Sequence, residues 1–214
     1  FGRFRSGEPR FVPFSVAAAT ARQRPLVQAL ESLLSLPTSR LSLADWLSLF
    51  EVSAVRARFK LEESDVQQLQ TWVTAAGVRW GLNAAHRIQW GMPQGTQDLD
   101  HNSWAFGLRR LLLGYAVGAN ADQDFWQGTL AQPALSGLDA PLLAGLLAWL
   151  EAVELTLPTL QQDQTPDQWG ATLRALVERF FTPADFADER ALASLLSPLD
   201  DWLRACEEAS LDTP

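Results

Sequence analysis

The sequence is poor in the residues that most enzyme chemistry uses. Its 214 residues include one Cys, one Tyr, one Met and two His, and Lys60 is its only lysine. A lone Cys206 excludes an internal disulfide and fits a reducing compartment. His86, His101 and Cys206 lie far apart, with no ligand pair at helical spacing, so the sequence offers no zinc site. Lys60 is followed by Leu61, so a Walker-type phosphate loop is absent, and no dinucleotide glycine fingerprint appears. No cofactor is therefore expected. Asp98-Leu-Asp100-His-Asn102 opens like a calcium loop, but Ser103 and Arg109 stand where Gly and Glu are required. It reads instead as a polar loop capping the next helix. His86 is expected in a loop, as a surface or satisfied histidine, and no nucleophile–base pair can be assembled. A two-metal nuclease is excluded for want of carboxylates and a lysine on strands. The longest apolar run, Ala140 to Leu150, is too short to span a bilayer, so a cytoplasmic location is the expectation. The only methionine is Met92, and the chain opens at Phe1. A piece of a longer polypeptide is expected, with a processed mature protein as the alternative.

What is present is apolar mass and arginine. Hydrophobic residues make up 47% of the chain, with nine Trp and eleven Phe, enough for a sizeable core. The net charge of −8 argues against a free-standing nucleic-acid binder. That charge is split, at +4 over residues 1–120 (thirteen Lys/Arg, nine Asp/Glu) and −12 over residues 121–214 (four, sixteen). A solvated acidic face is the simpler reading of this asymmetry; the sharper one is that only the first half can face phosphate.

Hydrophobic spacing and cap residues predict about eight helices in one mainly α domain. Residues 1–16 carry Arg3, Arg5 and Arg10 between Phe4 and Phe11 and are broken by Pro9 and Pro13. They read as an extended connection to a missing domain, or as a basic-aromatic segment able to track a nucleic-acid backbone. The helical domain is placed at 17–214. Its first helix covers Gln23 to Leu36, ending at Pro37. Ser42 with Asp45 caps the second, Ser53 opens a short third, and Ser64 with Gln67 is read as the start of the fourth. The stretch from Thr71 to Tyr115 organises the chain: Gly77 ends one helix, an irregular connection from Gly81 to Asn102 follows, and Ser103 opens the next. Trp80, Trp90 and Trp104 within it suit an interior or an interface. Arg79 is expected to pack its stem and give its head to a carboxylate or carbonyl. Gly114, inside the fifth helix, suggests close backbone packing. Residues Asp122 to Gly137 read as irregular, with Phe125 and Trp126 as core anchors. A nearly all-apolar helix runs from Asp139 to about Leu155, Thr165-Pro-Asp-Gln168 opens the seventh, and Asp185 to Ala209 is helical with a kink or break at Pro198.

The run from Leu41 to Arg87, followed by Asn102 to Gly118, closely resembles the gamma chain of bacterial exodeoxyribonuclease V, the RecC family. The most telling pieces are Glu51 to Phe59, Gly77-Val-Arg-Trp-Gly-Leu82, Trp104 to Tyr115 and Trp126-Gln-Gly128, with Trp169 to Phe181 and Ala191 to Cys206 also similar. The resemblance covers nearly the whole chain from about Val12. It implies a helical insertion like the 2B subdomain of superfamily 1 helicases, within a subunit that holds RecB and RecD together and handles a double-stranded DNA end and its unwound strands. It implies no catalytic residue here. On charge and placement, the candidates for duplex contact are Arg56, Arg58, Lys60, Arg109 and Arg110. A helical protein–protein interaction module without DNA contact is the alternative, favoured by the acidic second half and the tryptophans.

Overall fold

The computed structural model describes residues 23–96, 98–118, 125–126, 128–132 and 139–210, with the side chains of Gln23, Phe125 and Trp126 excepted. The expected N-terminal connection, the boundary at residue 16 and the anchoring roles of Phe125 and Trp126 lie outside what is described.

Among the described residues the chain is mainly α-helical: α1 (Gln23–Leu34), α2 (Leu43–Phe50), α3 (Ser53–Arg58), α4 (Glu63–Ala75), α5 (Ala84–Gln89), α6 (Trp104–Val117), α7 (Ala140–Leu160), α8 (Pro166–Phe180) and α9 (Phe186–Glu208). A 3-10 turn, Leu36–Thr38, follows α1, and two antiparallel two-residue strands, β1 (Phe125–Trp126) and β2 (Thr129–Leu130), follow α6. α1 packs on both α2 and α9, so the two ends of the described chain meet; α8 lies against α3, α7 and α9.

Local chemistry sets most of the helix starts. The Ser42 hydroxyl accepts the Asp45 N–H, and the Asp45 carboxylate accepts the Ser42 N–H at 2.8 Å. Thr165 and Gln168 make the same reciprocal pair ahead of α8. α4 differs from expectation: its N-cap is Glu62, two residues before Ser64, because the Asp65 carboxylate reaches back to the Glu62 N–H at 2.8 Å. α1 stops at Leu34, since the Ser35 hydroxyl turns back to the Glu31 carbonyl and the tighter turn takes over before Pro37. The connection after Gly81 is not wholly irregular, for it contains α5, whose N-cap Asn83 accepts the His86 N–H at 3.0 Å. α7 continues past Leu155 to Leu160 with Pro158 in its last turn, and α9 runs through Pro198 as one helix.

α7 is the central element. By length and composition it could cross a membrane, but half of its most apolar window is buried within the domain, where it meets α4, α8 and the 3-10 turn. Gly145 makes the approach feasible: a Cβ there would stand 2.7 Å from the Phe59 carbonyl oxygen. An aromatic chain crosses the core from α2 to α8. Trp46 lies 4.8 Å from Phe50 and 5.8 Å from Trp104 (ring centroids), Trp104 lies 5.1 Å from Trp149, and Phe50 leads through Phe59 to Phe180. One contiguous cluster of buried side chains includes residues from every helix except α5.

Candidate nucleic-acid interface

The organising stretch folds around one buried arginine. Arg87, on α5, donates through its Nη groups to the carbonyls of Trp80 (2.7 Å), Leu99 (2.8 Å) and His101, fixing two backbone segments to α5 at once. Its guanidinium lies 4.6 Å from the centroid of Trp80. Burial lowers the Arg87 pKa, while the negative charge of Asp100 works in the opposite direction. Asp100 accepts from the Ala84 N–H (3.1 Å) and the Ser103 hydroxyl (3.0 Å), and pairs with Arg109. Burial disfavours the Asp100 charge, but the hydrogen bonds from Arg109 and Ser103 and the Arg109 charge outweigh it, holding the pKa below the usual carboxylate value. The polar loop thus caps α5 and α6, as its residues suggest.

Beside this knot, residues 39–41 are pinned carbonyl by carbonyl. The Ser39 carbonyl accepts the Trp90 indole N–H at 3.2 Å, Arg40 the Gly81 N–H at 2.7 Å, and Leu41 the Trp104 indole N–H at 2.8 Å. Arg40 is therefore displayed on a fixed backbone. Its guanidinium carbon sits 5.4 Å from the Trp90 ring and 5.9 Å from the Trp80 ring. Arg40 is exposed, Trp80 is half-buried and Trp90 is 37% exposed. Arg79 next to Trp80 is exposed, with its head on the Val78 carbonyl at 3.1 Å.

The five arginine and lysine candidates fall in two places and differ in how far their charges are committed. Arg56 gives one Nη to the Phe50 and Glu51 carbonyls at 2.7 and 2.8 Å, closing the C-terminus of α2. Arg110 bonds the carbonyls of Leu130 and Ala76, both at 2.9 Å, and ties α6 to the hairpin and to the end of α4. Arg109 is exposed but paired with Asp100. Arg58 is exposed and uses only Nε, on the Glu178 carbonyl at 3.1 Å. Lys60 is exposed, held at φ +56°, and its ammonium has no partner among the described residues. Arg58 and Lys60 thus share one edge, and Arg109 and Arg110 lie on α6.

Arg40 was missed because its aromatic partners stand 40 and 50 residues further along the chain; only its place between turn residues hinted at display. His86 is not in a surface loop. It is buried on α5, where its Nδ1 faces the Leu82 N–H at 3.4 Å and its Nε2 has no partner among the described residues. Burial, then the neighbouring Arg87 charge, lowers its pKa. Among the described residues no group of three or more His, Cys, Asp or Glu could hold a metal ion.

The described residues thus define a mainly α-helical domain that shows arginine and tryptophan on one edge. Residues 23–214 match the family described as the fourth domain of the RecBCD enzyme subunit RecC, and the chain belongs to that family. RecC of Escherichia coli (strain K12) is 34% identical over 175 residues, covering 81% of this chain and 15% of that protein. RecC of Haemophilus influenzae is 33% identical over 183 residues (85% and 15%). RecC of Mycobacterium tuberculosis (strain H37Rv) is 32% identical over 130 residues (61% and 11%). The chain therefore spans about 15% of the length of the first two relatives.

Proposed function

We propose that this chain is a non-catalytic structural and DNA-handling segment of the gamma subunit of exodeoxyribonuclease V, working with RecB and RecD in recombinational repair of double-strand breaks in the bacterial cytoplasm. Its family membership over residues 23–214 carries that reading. Duplex phosphate is met at the α3 edge by Arg58 and Lys60, whose cationic heads carry free donors, with Arg109 as a further contact on α6; Arg56 and Arg110 hold the backbone beneath them. Duplex binding by the chain is expected to be weak, with log K falling linearly as log salt rises, and Arg58→Gln with Lys60→Gln should flatten that slope by about 2. Tight, salt-independent binding would contradict the proposal, as would nuclease or ATPase turnover by the chain alone.

A protein-interaction role without DNA contact is the second reading. It is favoured by the apolar side chains exposed on α6 and β2, Leu112, Tyr115, Val117 and Leu130. Co-elution of the chain with RecB and RecD but no measurable DNA binding would select it.

A further inference from the structure

We propose that the cavity between α1, the 3-10 turn and α2, with Arg40 and Trp90 in its wall, is a binding site for an unpaired polynucleotide strand. This deepens the DNA-handling reading above and rests on it, but puts strand contact on residues outside the five candidates. The cavity measures about 760 Å³, within the range of roughly 300–1,000 Å³ typical of ligand sites.

Two observations converge on it. First, Arg40 lies within cation–π distance of two indoles yet has no carboxylate in ion-pair contact among the described residues. A guanidinium beside aromatic rings, with no carboxylate bound to it, is suited to a phosphate next to a stacked base. The exposed Trp90 is oriented by its own bond to the Ser39 carbonyl, so its ring is fixed before a ligand arrives. Second, the wall is lined by hydroxyl groups, among them Ser32 and Ser48, which suit sugar and phosphate oxygens. Trp46 and Trp149, each 1% exposed, complete the wall from the core side with their apolar ring edges.

The acidic groups of the wall are Glu31 and Asp45. Asp45 is occupied by the Ser42 N–H at 2.8 Å and the Ser39 hydroxyl at 3.4 Å. Both carboxylates oppose a phosphate; Asp45 also caps α2, so the test falls on Glu31, and Glu31→Gln should tighten strand binding about twofold. A duplex keeps its bases paired and stacked on each other, and cannot offer one to Trp90 without unstacking.

Fluorescence anisotropy with labelled oligothymidine, and with a duplex of equal length, tests this on the chain and its variants at several salt concentrations. Trp90→Ala should weaken oligothymidine binding about tenfold and leave duplex binding unchanged, while Trp90→Phe should restore most of the loss. Arg40→Gln should weaken binding several-fold and reduce the salt slope by about 0.7, the value for one phosphate on a single strand. Both side chains are exposed, and unchanged melting temperatures would certify the fold. Wild-type oligothymidine binding by Arg40→Gln and Trp90→Ala, with loss in Arg58→Gln/Lys60→Gln, would overturn this site and leave the DNA-handling reading standing. Failure of the wild-type chain to bind either probe at low salt would overturn both.

Discussion

At the scale of single residues, the interior of this chain holds groups whose cost is set by what surrounds them. His86 is neutral in the fold, because burial and the Arg87 charge push its pKa below 6.5. The unfolded chain takes up a proton near pH 6.5, and the folded chain does so only at lower pH. The unfolded state therefore binds more protons across that interval, and stability falls as pH drops below about 6.5. Thermal melts from pH 7.5 to 5 should show this decline, and His86→Asn should remove it, since an Asn carbonyl can still accept the Leu82 N–H without titrating. Gly114 gives a second residue-scale prediction. A Cβ there would collide with the backbone carbonyl of Gln132, and backbone cannot swing aside as a side chain can. Gly114→Ala should gain roughly 1 kcal/mol in helix propensity. It should lose more to the clash, with a net cost of about 1–3 kcal/mol and a melting temperature lower by about 3–10 °C.

At the scale of elements, short helices here are fixed by side chains reaching across chain breaks. α3 has six residues and could not persist alone. Arg56 binds it to the last carbonyls of α2, and the Thr182 N–H, just beyond α8, donates to the Ala54 carbonyl at 2.9 Å. Arg56→Ala should therefore cost about 1.5–3 kcal/mol in urea unfolding, the range for a hydrogen bond made by a charged group. Arg58→Ala should cost less than about 1 kcal/mol, because its exposed head makes one hydrogen bond. The same contrast explains what the sequence could reveal. Helices with a cap residue and an apolar stripe, such as α2, α6 and α8, are legible from neighbours four residues apart. α5 was not, because six residues with His86 and Arg87 turned inward have no apolar period to read. α4 was placed two residues late because two overlapping cap patterns compete, and the Asp65 carboxylate decides between them. The Arg40 site was hidden for another reason: a cation–aromatic contact across 40–50 residues leaves no local mark.

At the scale of the whole molecule, the aromatic chain makes the two halves one cooperative unit. Trp149 on α7 contacts Trp46, Phe50 and Trp104, all from the first half. Trp149→Ala should cost about 3–5 kcal/mol. Its unfolding should remain a single transition, coincident by fluorescence and far-ultraviolet circular dichroism, because the described core has no second cluster to melt separately. Charge follows a different partition. The second half carries the acidic excess, while Arg40, Arg58 and Lys60 lie in the first. The two halves are nonetheless interleaved, with α1 on α9 and α3 on α8, so Arg58 meets the Glu178 carbonyl of the acidic half.

The three-carbonyl grip of Arg87 ends at His101 and reaches back no further than Leu99 beyond the bend that starts at Gly91. The backbone at Gly91 and Gly95 faces open space, with no heavy atom within 4 Å of where a Cβ would stand. That tip can grow or change composition without tugging on the clasp behind it. It is a natural place to splice in an epitope or a fluorophore, set toward Gly95 so that Trp90, next to Gly91, keeps its place beside Arg40.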